Sequence, residues 1–317
     1  GAQGATMTVD APAPPTTGPD VVRLVDRLRR ELRVDQVRDG ASEVDLYRRD
    51  ASNMSGQASV VCFAESTEDV RRIVVVANEF GVPFVARGSG TGLAGGAVPP
   101  RGGIVISTAK MNRIISVDEV NRLAWVEPGV LNLDLSKQTA HLGVHFAPDP
   151  SSQQTCSIGG NVANNSGGPH CLADGVTASH VLGVEVVLPD GTVTVFGGED
   201  PEPDGLDLRG VFVGSEGMLG ITTSVCVRLT KNPPAVTTML MDFASVEDGA
   251  ATVSGIIAAG IVPAAVEMMD QLCLRAVEAY IHAGLPVDSA AALLVEVVGL
   301  PEGLDDDVAR IRGIAEQ

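Results

Sequence analysis

Positive charge is scarce in this 317-residue chain: 22 Lys and Arg stand against 40 Asp and Glu, a net charge of −18. Nucleic acid and anionic membrane surfaces both call for a basic patch, so the composition argues against either as a partner. What the excess acid does provide is solubility. No apolar run reaches the ~18 residues needed to cross a bilayer, so no transmembrane segment is expected. No signal-peptide core opens the sequence. The five cysteines, Cys62, Cys156, Cys171, Cys226 and Cys273, are scattered and form no C-x-x-C. That spacing signals neither an iron–sulfur cluster nor a zinc site, and it suits a reducing compartment. The expected location is cytoplasmic, with peripheral attachment to the inner face of a membrane left open. The five histidines, His141, His145, His170, His180 and His282, are isolated, with no H-x-x-H pair. No metal is expected.

At this length one large and one partial domain is the natural division. Residues 1–18, rich in Pro, Ala, Thr and Gly, read as a disordered leader. Val21, Leu24, Val25, Leu28 and Leu32 share one face of a helix over 20–33. Residues 60–86 read as strand–helix–strand, with Ser66 and Asp69 as an N-terminal capping pair and Gly81 as the stop. Strands are predicted over 104–107, 114–117, 122–127 and 221–229. A hairpin is predicted over 184–196 around Asp190-Gly191. Asn232-Pro233-Pro234 looks like a domain boundary. Beyond it the pattern predicts strand over 237–243, helix over 245–259 and 268–282, and strand over 291–298.

Three glycine-rich loops abut predicted strands. The first is RGSGTGLAGG, residues 87–96. Gly90, Gly92 and Gly95 match G-x-G-x-x-G, yet a dinucleotide fingerprint of that form opens a helix. Here the loop runs into Val98-Pro99-Pro100 and Gly102-Gly103, which cannot continue one. Arg87, Gly88, Ser89, Gly90, Thr91 and Gly92 can instead turn successive backbone N–H groups inward as an anion nest. The second cluster spans 146–153 and 157–168. It contains Pro148, Asp149 and Ser157, then four glycines and three asparagines in ten residues: Gly159, Gly160, Asn161, Asn164, Asn165, Gly167 and Gly168 among them. It reads as a long loop with functional amides. The third is GSEGMLGIT, residues 214–222, with Glu216, Gly220 and Ile221. Three such loops suit an extended, phosphate-containing cofactor in an elongated cleft. The residue chemistry goes no further.

These pieces, with residues 47–52, VEPGV at 126–130 and 182–191, resemble the FAD-binding domain of the vanillyl-alcohol oxidase/p-cresol methylhydroxylase family. Within it the resemblance is to the glycolate oxidase FAD subunit and D-lactate dehydrogenase group. It covers roughly 45–231, in family order. It implies an α+β fold: a two-subdomain FAD-binding domain over 19–232, with its core signature at about 54–231. An α/β, ferredoxin-like substrate domain would then start at 233–317 and be incomplete. It further implies that the 87–92 loop binds the FAD pyrophosphate, that Pro148, Asp149 and the 157–168 segment line the cleft near the flavin, and that Gly220-Ile221 touches the cofactor through main-chain groups.

One departure stands out: Ala173-Asp174-Gly175 replaces the family's usual Lys-Tyr-Gly or Arg-Tyr-Gly, which puts a flavin contact beside Gly175 in question. His170 and Cys171 lie nearby, and some members of the wider superfamily attach flavin through His or Cys. The group resembled here holds FAD non-covalently, and that is the expectation. The resemblance implies oxidation of a small D-2-hydroxy acid by hydride transfer to flavin N5, with an electron-acceptor or iron–sulfur subunit as a partner. It leaves the catalytic residues unassigned, because in relatives the substrate carboxylate is held near the chain's end. Glu267-Met268-Met269-Asp270 resembles an early substrate-domain motif, which suggests truncation. A non-catalytic FAD-binding subunit or fragment is the alternative; an NADPH-dependent reductase of cell-wall precursors fits the 146–153 segment poorly.

Overall fold

The computed structural model describes residues 19–99, 101–200 and 205–316. The expected leader, 1–18, lies outside them. Three β-sheets, each with its own apolar core, organise the described residues, and a separate two-stranded pair joins Val144–His145 to Thr230–Lys231.

The first sheet runs in the order Val37–Arg38, Ala58–Phe63, Gly103–Ser107, Phe84–Arg87. Its last three strands are parallel, so each crossover needs a connection over a face. The helix Thr67–Phe80 provides one. Ser66 accepts from Asp69 N at 3.2 Å, and Gly81, at φ +62°, ends the helix in a left-handed turn. Its buried face (Val70, Ile73, Val74, Ala77) packs with Leu24, Val25 and Leu28 of the helix Pro19–Glu31 against Val60, Ile104 and Ile106 of the sheet. Each such side chain contributes roughly 1.5–3 kcal/mol.

The second sheet is antiparallel: Ile114–Asp118, Leu123–Val126, Ile221–Arg228, Val181–Val187, Val193–Gly197. The predicted hairpin is its outer pair, with Val184 opposite Phe196 and Gly191 at φ +87° in the turn. Val126, Val184, Val186, Val225 and Val227 pack against Leu135, Phe146, Ile158 and Val162.

The third sheet is Ala235–Phe243, Ala291–Gly299, Ala265–Asp270, also antiparallel. The helices Val246–Ala258 and Pro301–Ala315 cover one face through Ile256, Leu304 and Ile311 on Leu293, Val295 and Val297.

Two local expectations are corrected. Residues 268–270 end a strand rather than begin a helix: Met268 and Met269 pair with Leu293 and Ala292, and Asp270 caps the helix Gln271–Ile281 by accepting from Cys273 N at 2.8 Å. The long loop expected over 157–168 contains a short helix, Ile158–Asn164. Ser157 caps it, accepting from Gly160 N at 3.3 Å. Gly159, on its first turn, allows close packing on Pro128.

Candidate functional site

The loop 88–92 leaves the carboxyl end of the parallel strand Phe84–Arg87. Gly90 sits at φ +71°, a conformation that favours glycine, and it folds the loop back on itself. Among the described residues, no N–H from Gly88 to Gly92 donates to another group of the chain. Backbone donors in a lined cleft are expected to be paired, so these five await an acceptor. The Arg87 guanidinium lies behind them. Its Nη1 donates to Arg49 O at 2.7 Å and to Ala97 O at 3.4 Å, and it stacks over the Tyr47 ring at 5.4 Å. Burial lowers the Arg87 pKa, opposed by Tyr47 and Asp50, and a guanidinium stays charged throughout. Arg87 thus buckles the loop from behind and gives it positive charge.

The facing wall is the helix Ile158–Asn164. Gly159 N donates to Pro128 O at 2.8 Å, and a Cβ at residue 159 would stand 2.6 Å from Pro128 Cβ. A Cβ at residue 88 would collide with Ser157 Oγ. Gly159 thus lets the helix sit against Pro128, and Gly88 leaves room for the Ser157 side chain beside the loop. Asn132, fully buried, donates through Nδ2 to Pro148 O at 2.8 Å and to Asn161 Oδ1 at 2.9 Å, tying this wall to the 146–153 segment.

The third wall is the turn 214–220. Gly214 N and Glu216 N each donate at 2.8 Å, to Val162 O and Ala163 O. They satisfy carbonyls that the end of the short helix leaves open. Glu216 adopts φ +53° to do so. Ser215 Oγ is buried with no partner.

These walls enclose a cleft of about 340 Å³. It brings together Arg87 to Gly92, Ser157, Gly159, Gly160, Asn161, Asn164, Gly167, Glu216, Gly220 and Ile221. Pro148, Asp149, Gly168 and Gly175 do not line it. Pro148 O is taken by Asn132, and Asp149 is turned to His170. Gly168 N and Gly175 N are taken by Cys171 Sγ and Cys171 O. Asp50, Thr108, Pro128, Cys156, Phe212 and Ser215, none of them among the expected cofactor-binding residues, also line it, and Asp50, Pro128 and Ser215 lie in motifs that carried the resemblance. Pro150, Ser151 and Ser152 belong to a segment whose proline spacing was a signal; Asn132, behind the wall, gave none.

Five unpaired N–H groups and an orphaned buried hydroxyl in one cleft fit a phosphate-bearing cofactor. Residues 58–197 match the FAD binding domain family, and residues 232–317 match the C-terminal domain of FAD linked oxidases. The chain belongs to the FAD-linked oxidases. The chain is 45% identical over 255 residues to glycolate oxidase subunit GlcD of Escherichia coli (strain K12), covering 80% of this chain and 51% of that one. It is 40% identical over 274 residues to GlcD of Bacillus subtilis (86% and 58%). It is 36% identical over 240 residues to D-lactate dehydrogenase of Archaeoglobus fulgidus (74% and 53%). The chain thus spans about half the length of the curated relatives it matches.

Its fold is shared with 4-ethylphenol oxidase from Gulosibacter chungangensis, at TM-score 0.79, 22% identity and coverage of 94% of this chain and 63% of that one. It is shared also with p-cresol methylhydroxylase, at TM-score 0.73, 20% identity, 95% and 65%. The architecture is the p-cresol methylhydroxylase type that the resemblance implied, and the matched domains are FAD-binding ones. No helix among the described residues is long and apolar enough to cross a membrane.

Proposed function

We propose that this FAD-linked oxidase holds FAD non-covalently in the glycine-lined cleft and oxidises a small D-2-hydroxy acid of the glycolate or D-lactate type to the 2-keto acid. The observation that carries the cofactor half is the row of unpaired N–H groups from Gly88 to Gly92, backed by Arg87. The relatives' printed activities, glycolate oxidase and D-lactate dehydrogenase, support the substrate half. In this reading the 88–92 amides hold the pyrophosphate and Arg87 supplies the positive field. Ser157, Asn161, Asn164, Ser215 and the Gly220-Ile221 turn orient the rest of the cofactor, and the closed walls exclude water. Bound FAD supplies a ring that accepts the substrate's hydride.

The engagement of neighbouring nucleophiles supports a non-covalent bond. Both ring nitrogens of His170 face carboxylates, and Cys171 Sγ accepts from Gly168 N at 2.9 Å. The same reading divides the chain into an FAD-binding part, 19–232, and the start of a substrate domain, 233–317. It places the protein in the cytoplasm with an electron-accepting partner subunit.

Anaerobic addition of glycolate, D-lactate or D-2-hydroxyglutarate to the FAD-loaded protein tests the substrate class. Bleaching of the flavin band by one of them, and not by the L-enantiomer of a chiral one, is the expected result. Intact flavin colour with all three, alongside firm FAD binding, would favour the non-catalytic subunit instead.

A further inference from the structure

His170 lies between two carboxylates drawn from distant parts of the chain. Its Nδ1 meets Asp149 Oδ2 at 2.5 Å, and its Nε2 meets Glu296 Oε1 at 3.0 Å across 126 residues of sequence. Asp149 directly precedes Pro150, Ser151 and Ser152, which line the cleft. Glu296 is on the central strand Ala291–Gly299 of the third sheet, facing away from the helices that cover it. The contact therefore joins the two family-matched regions, 58–197 and 232–317.

Donor counting favours the charged ring. A neutral imidazole has one N–H and one lone pair, whereas two ionised carboxylates offer only acceptors. With His170 neutral, one carboxylate would face a lone pair, and Asp149 and Glu296 would repel. The protonated ring donates to both. All three side chains are largely removed from water, with 32%, 19% and 25% of their surfaces exposed. Screening is therefore weaker than for a surface pair.

We propose that the imidazolium of His170 is a proton-dependent tie that seats the C-terminal sheet against the cofactor-binding part, beside the cleft. Burial on its own disfavours the charged ring, but the hydrogen bonds it donates to Glu296 and Asp149 outweigh it, and the His170 pKa is raised above the ordinary 6.5. The other charged groups on the packed elements are acidic: Asp174 on the same helical turn, and Glu267 and Asp270 on strand Ala265–Asp270. None of them bonds to the ring.

The sign follows from the raised pKa. The tie is at full strength below the unfolded-state value near 6.5, and it is lost as pH rises through the higher folded-state value.

A double-mutant cycle on the 317-residue chain tests the tie, using H170Q, E296Q and the pair. Urea unfolding of the C-terminal core is followed at about pH 6 and about pH 9.5. The expected coupling is about tenfold in the unfolding equilibrium constant at the lower pH and under about twofold at the higher one. Equal coupling at both pH values, or none at the lower, would overturn the proposal. Titration of the His170 C2 proton by NMR in the wild-type chain serves where a variant does not fold. A midpoint above 6.5 is expected, and one at or below it contradicts the tie. Neither measurement uses FAD, so their outcome is separate from that of the cofactor reading.

Discussion

Gly90→Val is expected to give a folded protein that no longer takes up FAD. Residue 90 sits at φ +71°, where a β-branched side chain is strained by roughly 1–2 kcal/mol. The new Cβ would also strike the Arg87 guanidinium, the group that ties the loop to Arg49 O and Ala97 O. Loop and buckle must move together, and the inward row of N–H groups from 88 to 92 is broken. Loss of two charge-directed hydrogen bonds costs about 3 kcal/mol, or about 100-fold in Kd. The loop contributes no side chain to the three apolar cores, so the unfolding midpoint should move far less than the affinity. A titration with FAD, beside thermal unfolding of the apoprotein, checks both. An unchanged FAD affinity in a folded G90V protein would show that the 88–92 amides do not hold the cofactor.

Asn132→Ala should do the reverse, with stability lost first and cofactor binding lost with it. The Asn132 side chain is fully buried and donates to Pro148 O and Asn161 Oδ1. Truncation strands both acceptors and leaves a hole the size of an amide. An unsatisfied buried polar group costs about 1–3 kcal/mol, so a total of about 2–4 kcal/mol is expected. Asn161 is on the cleft wall, so FAD affinity should fall as well. Chemical unfolding with and without FAD reads the two effects. A loss below about 0.5 kcal/mol would mean that Asn132 does not brace the wall.

Much of this arrangement is legible in the amino-acid sequence. Ser66, Asp69 and Gly81 bracket the helix Thr67–Phe80 because capping and left-handed exit are local chemistry. Asp190-Gly191 marks its hairpin for the same reason. The 87–92 loop is recognisable because its glycines stand flush against a strand and the prolines that follow forbid a helix.

What escapes is non-local. Glu267, Met268 and Met269 are good helix formers, and the ladder to Ala291–Gly299 overrides them. The helix Ile158–Asn164 is seven residues long with two glycines, and it is held by contacts with Pro128 and the 214–220 turn rather than by propensity. Asn132 looks like any polar residue on a short helix. The pairing of His170 with Glu296 depends on a fold that brings residues 126 apart into contact.

The central claim is that the glycine-lined cleft holds FAD without a covalent bond. The visible spectrum of the purified chain supplied with FAD, recorded before and after heat denaturation, tests it most directly. A flavin band that stays with the folded protein through desalting, and passes wholly into the supernatant once the protein is denatured, is the predicted result. A protein that takes up no FAD, or flavin that remains with the denatured pellet, would contradict it.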